Sequence, residues 1–267
     1  MKKLIYLLMS LSFVAFASCS DDKALSENGS NSDSNGNVSA VSVYKSGTED
    51  GHDYVDLGLT SGTLWATANV GAKTPQDYGN YYAWGETTTK ANYSLSTYLD
   101  GNIARESDCE TDKDALKGVT DIVGTQYDAA QANWGGKWRM PTKAQQDELR
   151  SECYWVWTES YNGSDLRGYI VYKAKNSSDK GKQVNSGATP SSSYTLSDAH
   201  LFLPAAGARS ASSLMSAGAY GYYWSSSLDN DYPLFAWDIY FDLDFVDSYR
   251  GLFRYSGQSV RAVIPGK

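Results

Sequence analysis

Histidine and cysteine are scarce in this chain: His52 and His200, with Cys19, Cys109 and Cys153, are all that 267 residues contain. Neither His has a metal-ligand neighbour at helical or turn spacing, so the pattern of a zinc site is missing. There is no Cys-x-x-Cys, no nucleophile elbow, and no glycine loop followed by Lys-Ser or Lys-Thr. Basic residues are outnumbered, 23 against 31 acidic, for a net charge of −8. Without a basic stripe, nucleic acid and anionic lipid are poor partners. No repeat of fixed period is present. The sharpest absence is local. Between Leu228 and Gly257 there is no Glu, Lys, Gln or Met, and the only Trp is Trp237.

At the N-terminus, Lys2 and Lys3 precede an apolar run, Leu4 to Val14, too short to span a bilayer. That is the pattern of an export signal. Ala15-Phe16-Ala17 fits ordinary signal-peptidase cleavage. Phe16-Ala17-Ser18-Cys19 resembles a bacterial lipobox, which makes 1–18 a lipoprotein signal and Cys19 the lipidated first residue. Ser20-Asp21-Asp22 resembles the acidic flag of Bacteroidetes lipoproteins sent to the cell surface. Acyl chains contributing about 0.8 kcal/mol per buried methylene would hold such a protein on the outer membrane. Losing Lys2 and Lys3 changes the balance to 21 − 31 = −10. Residues 19–46 are rich in Ser, Asn, Asp and Gly, too polar to offset their ordering entropy, and read as a flexible tether. Residues 47–267 are rich in Trp, Tyr and Gly and long enough for one single-core domain. Cys109 and Cys153 stand in a disulfide-permitting compartment; a bridge and two unpaired thiols both remain open.

The domain reads as α+β, strand-rich, with one clear helix and one shorter helix. Strands are expected over 52–59, 63–67, 155–157, 168–172 and 201–203, around Trp224, over 239–241 and over 260–263. Thr142, with Gln145 three residues on, opens a helix running to about Cys153. Asp128 caps a shorter one through Ala132, stopped by Gly135-Gly136. Residues 176–193 are polar and read as a loop. Trp134-Gly135-Gly136-Lys137-Trp138 lacks the strand-to-helix context of a phosphate loop and reads as core aromatics on a tight turn.

The C-terminal stretch has the composition of a binding surface. Tyr, Ser, Gly and Arg provide contact area and hydrogen bonds at modest entropic cost. Strand alternation from Ala236 to Phe241 puts Trp237, Ile239 and Phe241 on one face, read as core, and Asp238 and Tyr240 on the other. With their neighbours these define a candidate binding face: Asp229, Asp231, Tyr232, Phe235, Asp238, Tyr240, Asp242, Asp244, Phe245, Tyr249, Leu252, Phe253 and Tyr255. Phe235 joins the core face if the strand starts earlier. Exposed Phe235, Phe245, Leu252 and Phe253 favour a protein ligand over a glycan. Asp242, Asp244 and Asp247 could supply oxygens to Ca²⁺, against an exposed loop as the competing reading. Arg254 and Arg261 read as bridges between strands.

Ordered blocks across the domain resemble one family. Tyr54-Val55-Asp56-Leu57-Gly58-Leu59-Thr60-Ser61-Gly62-Thr63-Leu64-Trp65-Ala66-Thr67 is similar to the opening of the Fibrobacter succinogenes major paralogous domain. Tyr82-Ala83-Trp84-Gly85-Glu86-Thr87, Trp138-Arg139-Met140-Pro141-Thr142, Leu203-Pro204-Ala205-Ala206-Gly207, Tyr223-Trp224-Ser225-Ser226-Ser227 and Ser259-Val260-Arg261 continue the resemblance. It implies a C-type-lectin-like fold related to the formylglycine-generating enzyme. It does not imply that enzyme's chemistry, which needs late cysteines, and none follows Cys153. The Trp blocks, including Trp65, Trp84, Trp134, Trp138 and Trp224, read as scaffold. Some members of this fold family are variable proteins of diversity-generating retroelements, whose Asn codons are rewritten at adenines. Such codons reach Asp, Tyr, Phe, Leu, Ser, Gly and Arg but never Glu, Lys, Gln, Met or Trp. Residues 228–257 obey that alphabet apart from Trp237, although an ordinary Asp-rich loop would as well. The expectation is a non-enzymatic, lipid-anchored receptor or adhesin for an extracellular protein or glycan. Its rivals are a carbohydrate-active or oxidase-like enzyme on the same fold and a structural subunit of a surface assembly.

Overall fold

A computed structural model describes residues 44–266 apart from Ala104 and Asp112. The expected export signal, Cys19 and the expected tether through residue 43 lie outside the described residues. Lys45 and Ser46, expected in the tether, engage the domain instead: Lys45 pairs with Asp53 at 3.0 Å, and Ser46 N donates to Tyr54 O at 2.7 Å. No described helix is long and apolar enough to cross a membrane.

The domain is α+β, with strands in several small sheets and only two α-helices among the described residues. Strands β1 (Gly47–Glu49), β2 (His52–Asp56) and β3 (Leu64–Ala66) form an antiparallel N-terminal sheet. Helix α1 (Ala129–Trp134) begins where the Asp128 carboxylate accepts from Gln131 N at 3.0 Å, and ends at Gly135. Helix α2 (Lys143–Glu152) has the capping box read from Thr142 and Gln145, with Thr142 N donating to Gln145 Oε1 at 2.9 Å. Strands β4 (Cys153–Thr158), β5 (Gly168–Lys173), β6 (Gln183–Val184) and β7 (His200–Pro204) make a second sheet in the order β6-β4-β5-β7. The polar segment 176–193 thus contains a short strand, β6, as well as loop. β8 (Ala208–Ser210) and β9 (Ser213–Met215) form a hairpin. β10 (Gly221–Leu228), β11 (Phe235–Phe241) and β12 (Val246–Phe253) form an antiparallel meander. β13 (Val263–Ile264) returns to pair with β3.

Three apolar clusters pack between these layers. Trp84, Trp138 and Trp224 centre the first, and Trp65, Trp155 and Trp157 the second. Tyr154, Tyr161, Tyr172 and Phe202 form a third on the opposite face of the β4–β5–β7 sheet. Covered on both sides, β4, β5 and β7 are buried almost without interruption, which is why their residues do not alternate between apolar and polar. Trp134 is only partly buried: it packs edge-on against Trp138 at 5.1 Å, at the margin of the first core, and stacks on His52 at 3.8 Å. Cys109 and Cys153 are both free, one packed against the first core and the other inside the second.

Two buried arginines hold the C-terminal chain. Arg261 donates through Nε to Asn69 Oδ1 at 2.8 Å and through Nη1 and Nη2 to the carbonyls of Ala66, Thr67 and Phe202. Its buried neighbourhood lowers its pKa to about 10. Arg254 Nη2 meets Asp114 Oδ2 at 2.7 Å with both side chains fully buried. The regular strand expected over 260–263 is present only at Val263–Ile264. Val260 and Ala262 instead accept single hydrogen bonds from Val70 N and Ala66 N, each at 2.9 Å.

Candidate binding face on the C-terminal sheet

In the meander, Tyr222 stands opposite Tyr240 and Trp224 opposite Asp238 across β10 and β11. Across β11 and β12, Asp238 faces Arg250 and Tyr240 faces Asp247. Two steps on β11 therefore span three on β12, so β12 bulges at Ser248-Tyr249. The parity read from sequence holds: Ile239 and Phe241 enter the second core, while Asp238 and Tyr240 point the other way. The exposure does not follow. Trp224 and Ala236 draw the Asp238 end of that other face onto the first core, and Tyr220, Tyr222, Phe245 and Arg250 cover Tyr240, so Asp238 and Tyr240 are buried, at 1% and 5% exposure. Trp237, expected in the core, is half-exposed, with Lys143 Nζ 5.2 Å from its ring centre. It lines a shallow cleft with Asp121, Lys143, Asp147, Ser227 and Asn230.

The thirteen candidate residues separate by burial. Asp231, Tyr232, Asp244, Phe245 and Tyr249 are exposed. Phe235, Asp242, Leu252, Phe253 and Tyr255 are half-buried, and Asp229 is buried with Asp238 and Tyr240. Asp229 turns inward because its Oδ1 accepts from Asp231 N at 3.0 Å, shaping the loop that carries Tyr232. Desolvation raises its pKa. Asp242 organises the β11–β12 turn. Its Oδ1 accepts from Asp244 N at 2.8 Å and Phe245 N at 3.1 Å, and its Oδ2 accepts from the Tyr240 hydroxyl at 3.0 Å. Asp247 Oδ1 accepts from Tyr249 N at 2.8 Å. These carboxylates thus serve as turn caps. Among the described residues, no three His, Cys, Asp or Glu side chains are grouped to hold a metal ion. Tyr249 lies over Lys143 Nζ at 4.5 Å and near the Arg150 guanidinium at 5.6 Å. Phe235, Phe253 and Tyr255 form a separate stack with spacings of 4.7 and 5.0 Å.

The structure adds side chains that strand reasoning missed. Tyr220 and Tyr222 lie 5.7 and 5.1 Å from the Tyr240 ring, Phe245 lies 5.4 Å from it, and the Arg250 guanidinium covers it at 4.5 Å. Leu214 and Met215 on β9 and Leu243 in the β11–β12 turn are exposed. An apolar Leu-Met pair inside a Ser-, Ala- and Gly-rich hairpin was the available signal for the first two. All six exposed large hydrophobic residues among the described ones, Leu214, Met215, Tyr232, Leu243, Phe245 and Tyr249, fall within 214–249.

Beneath this face, Gln258 Nε2 donates to Asp238 Oδ2 at 2.8 Å. Asp238 Oδ1 and Gln258 Oε1 are both buried without a partner. Desolvation pushes the Asp238 carboxyl up to about 7, opposed by the Gln258 bond and the Arg250 charge. One proton on the carboxyl adds the donor that this pair of acceptors lacks.

No protein-family model, curated protein or solved structure matches the chain.

Proposed function

We propose that this chain is a surface-anchored, ligand-binding lipoprotein of the receptor or adhesin kind, with a C-type-lectin-like domain and no catalytic role. Lipidation at Cys19 would place it on the outer membrane, facing outward. The observation that carries the reading is the confinement of every exposed large hydrophobic residue described to 214–249. Exposed apolar side chains gathered in one stretch of the fold are where an interaction surface is sought. The binding surface proposed is the outer edge of the meander along β12, where Phe245 and Tyr249 are exposed. The resemblance to the major paralogous domain and the restricted alphabet of 228–257 support a diversified version of this reading. Variation would then be tolerated at exposed positions such as Asn230, Tyr232, Asp244 and Tyr249, and not at buried Asp238, Ile239 or Arg254.

The test is an array of extracellular proteins and glycans probed with the full chain. Phe245→Ala with Tyr249→Ala is expected to weaken any specific ligand at least about tenfold, as loss of interface anchors does. The melting temperature should stay nearly unchanged. A ligand bound equally well by the double variant sinks this face. Sequencing the 3′ end of the gene across a clonal population tests diversification, which requires a nearby template copy and codon changes confined to 228–257.

A further inference from the structure

The forty residues from Ser210 to Tyr249 contain six Asp and no Lys, Arg, His or Glu. The same forty hold every exposed large hydrophobic side chain described. Asp229 and Asp238 are buried, so Asp231, Asp242, Asp244 and Asp247 give this surface its charge. Three cations near it are already engaged. Lys143 Nζ is held by Asp147 at 2.6 Å, Arg150 Nε donates to Val246 O at 3.1 Å, and Arg250 covers Tyr240. The β11–β12 turn is built so that apolar and acidic groups alternate outward: Leu243 and Phe245 are 43% and 40% exposed, beside Asp242 and Asp244. The loop on which this turn rests adds no cation of its own. Asn185 donates to Asp244 O, and Ser186 donates through N to Leu243 O at 2.9 Å and through Oγ to the Glu159 carboxylate at 3.0 Å.

Such a surface is complementary to one that is basic and apolar together. Nucleic acid and anionic headgroups are repelled by it, and a neutral glycan would leave both the charge and the exposed Leu and Phe unused. Resting on the receptor reading above, we propose that the partner of this face is a protein segment presenting Lys or Arg beside apolar side chains, docked over the Asp242–Phe245 turn. The carboxylates draw the cations in, and Leu243 and Phe245 supply the desolvated contact.

The experiment pans a random peptide library against the full chain and measures the recovered peptides at about 50 mM and about 500 mM salt, where screening differs strongly. Recovered peptides should carry net positive charge, bind roughly tenfold or more weakly at the higher salt, and fail on Phe245→Ala. The double variant Asp242→Asn with Asp244→Asn keeps the oxygen that caps the turn. It should weaken binding about five- to tenfold at low salt, as two rim charges do, and bind like the unchanged protein at high salt. Melting curves confirm that each variant folds. Neutral or acidic binders that still require Phe245 overturn the basic partner while leaving the binding face in place. Binders indifferent to both Phe245 and Tyr249 overturn both readings. Capture of a neutral glycan with no peptide recovered also overturns the basic partner.

Discussion

Replacing Asp238 with Asn should stabilise the protein at alkaline pH. The carboxyl titrates at 3.8 in a solvated chain and is pushed up to about 7 in the folded one by desolvation. The folded state thus holds the proton more tightly than the unfolded state. The contribution of this group to stability is greatest below about pH 4, falls as pH rises toward 7, and is level above that. At about 1.36 kcal/mol per pH unit, the total loss is on the order of 4 kcal/mol, and about 3 kcal/mol of it lies between pH 5 and 8. Asn has no such titration, and its amide can donate to Gln258 Oε1 while accepting from Gln258 Nε2. Urea unfolding of both proteins at pH 5 and pH 8 isolates the effect, because every other titrating group is common to the pair. The stability gap in favour of Asn should widen by about 3 kcal/mol, or about 6–12 °C in melting temperature for a domain of this size. A gap that is the same at both pH values would mean Asp238 is ionised throughout, and the reading of a neutral acid–amide pair would be wrong.

Two further outcomes follow from the buried groups. Asp114→Asn leaves the Arg254 guanidinium, whose Nε and Nη1 already lack partners, buried without its counter-charge. It should cost about 3–5 kcal/mol in chemical denaturation, and a cost below about 1 kcal/mol would show that water reaches the pair. Tyr240→Ala should cost about 3 kcal/mol, as removal of a buried aromatic does, while Tyr249→Ala costs under about 1 kcal/mol. Equal effects in thermal melts would contradict the burial assigned to the two tyrosines.

Much of the fold was legible because it is written in local chemistry. Thr142 with Gln145, and Asp128 ahead of the alanines, mark helix starts through hydrogen bonds spanning three residues, and both helices begin there. The strand around 153–158 and those at 168–173 and 200–204 declare themselves as short apolar runs, since both faces of their sheet are covered. Strand β12 was not legible. Val246 to Phe253 is mixed in polarity, and its edge position and bulge are set by β11 beside it. The composition of 228–257 was enough to direct attention to the C-terminal sheet and to fix the parity of 237–241.

Composition and spacing could not decide which of those side chains meets solvent. Alternation assigns residues to two faces of a strand, but whether a face is open depends on what packs against it from distant segments. Trp224, paired opposite Asp238, and Ala236 carry that side of β11 into the first core, Tyr240 is covered by Tyr220, Tyr222, Phe245 and Arg250, and Trp237 is left at the rim beside Lys143 at the start of α2. The same closure turns Asp238 from a surface charge into a buried acid bonded to Gln258. Burial is a property of the assembled layers, so only the tertiary structure could separate the exposed edge at Phe245 and Tyr249 from the supports beneath it.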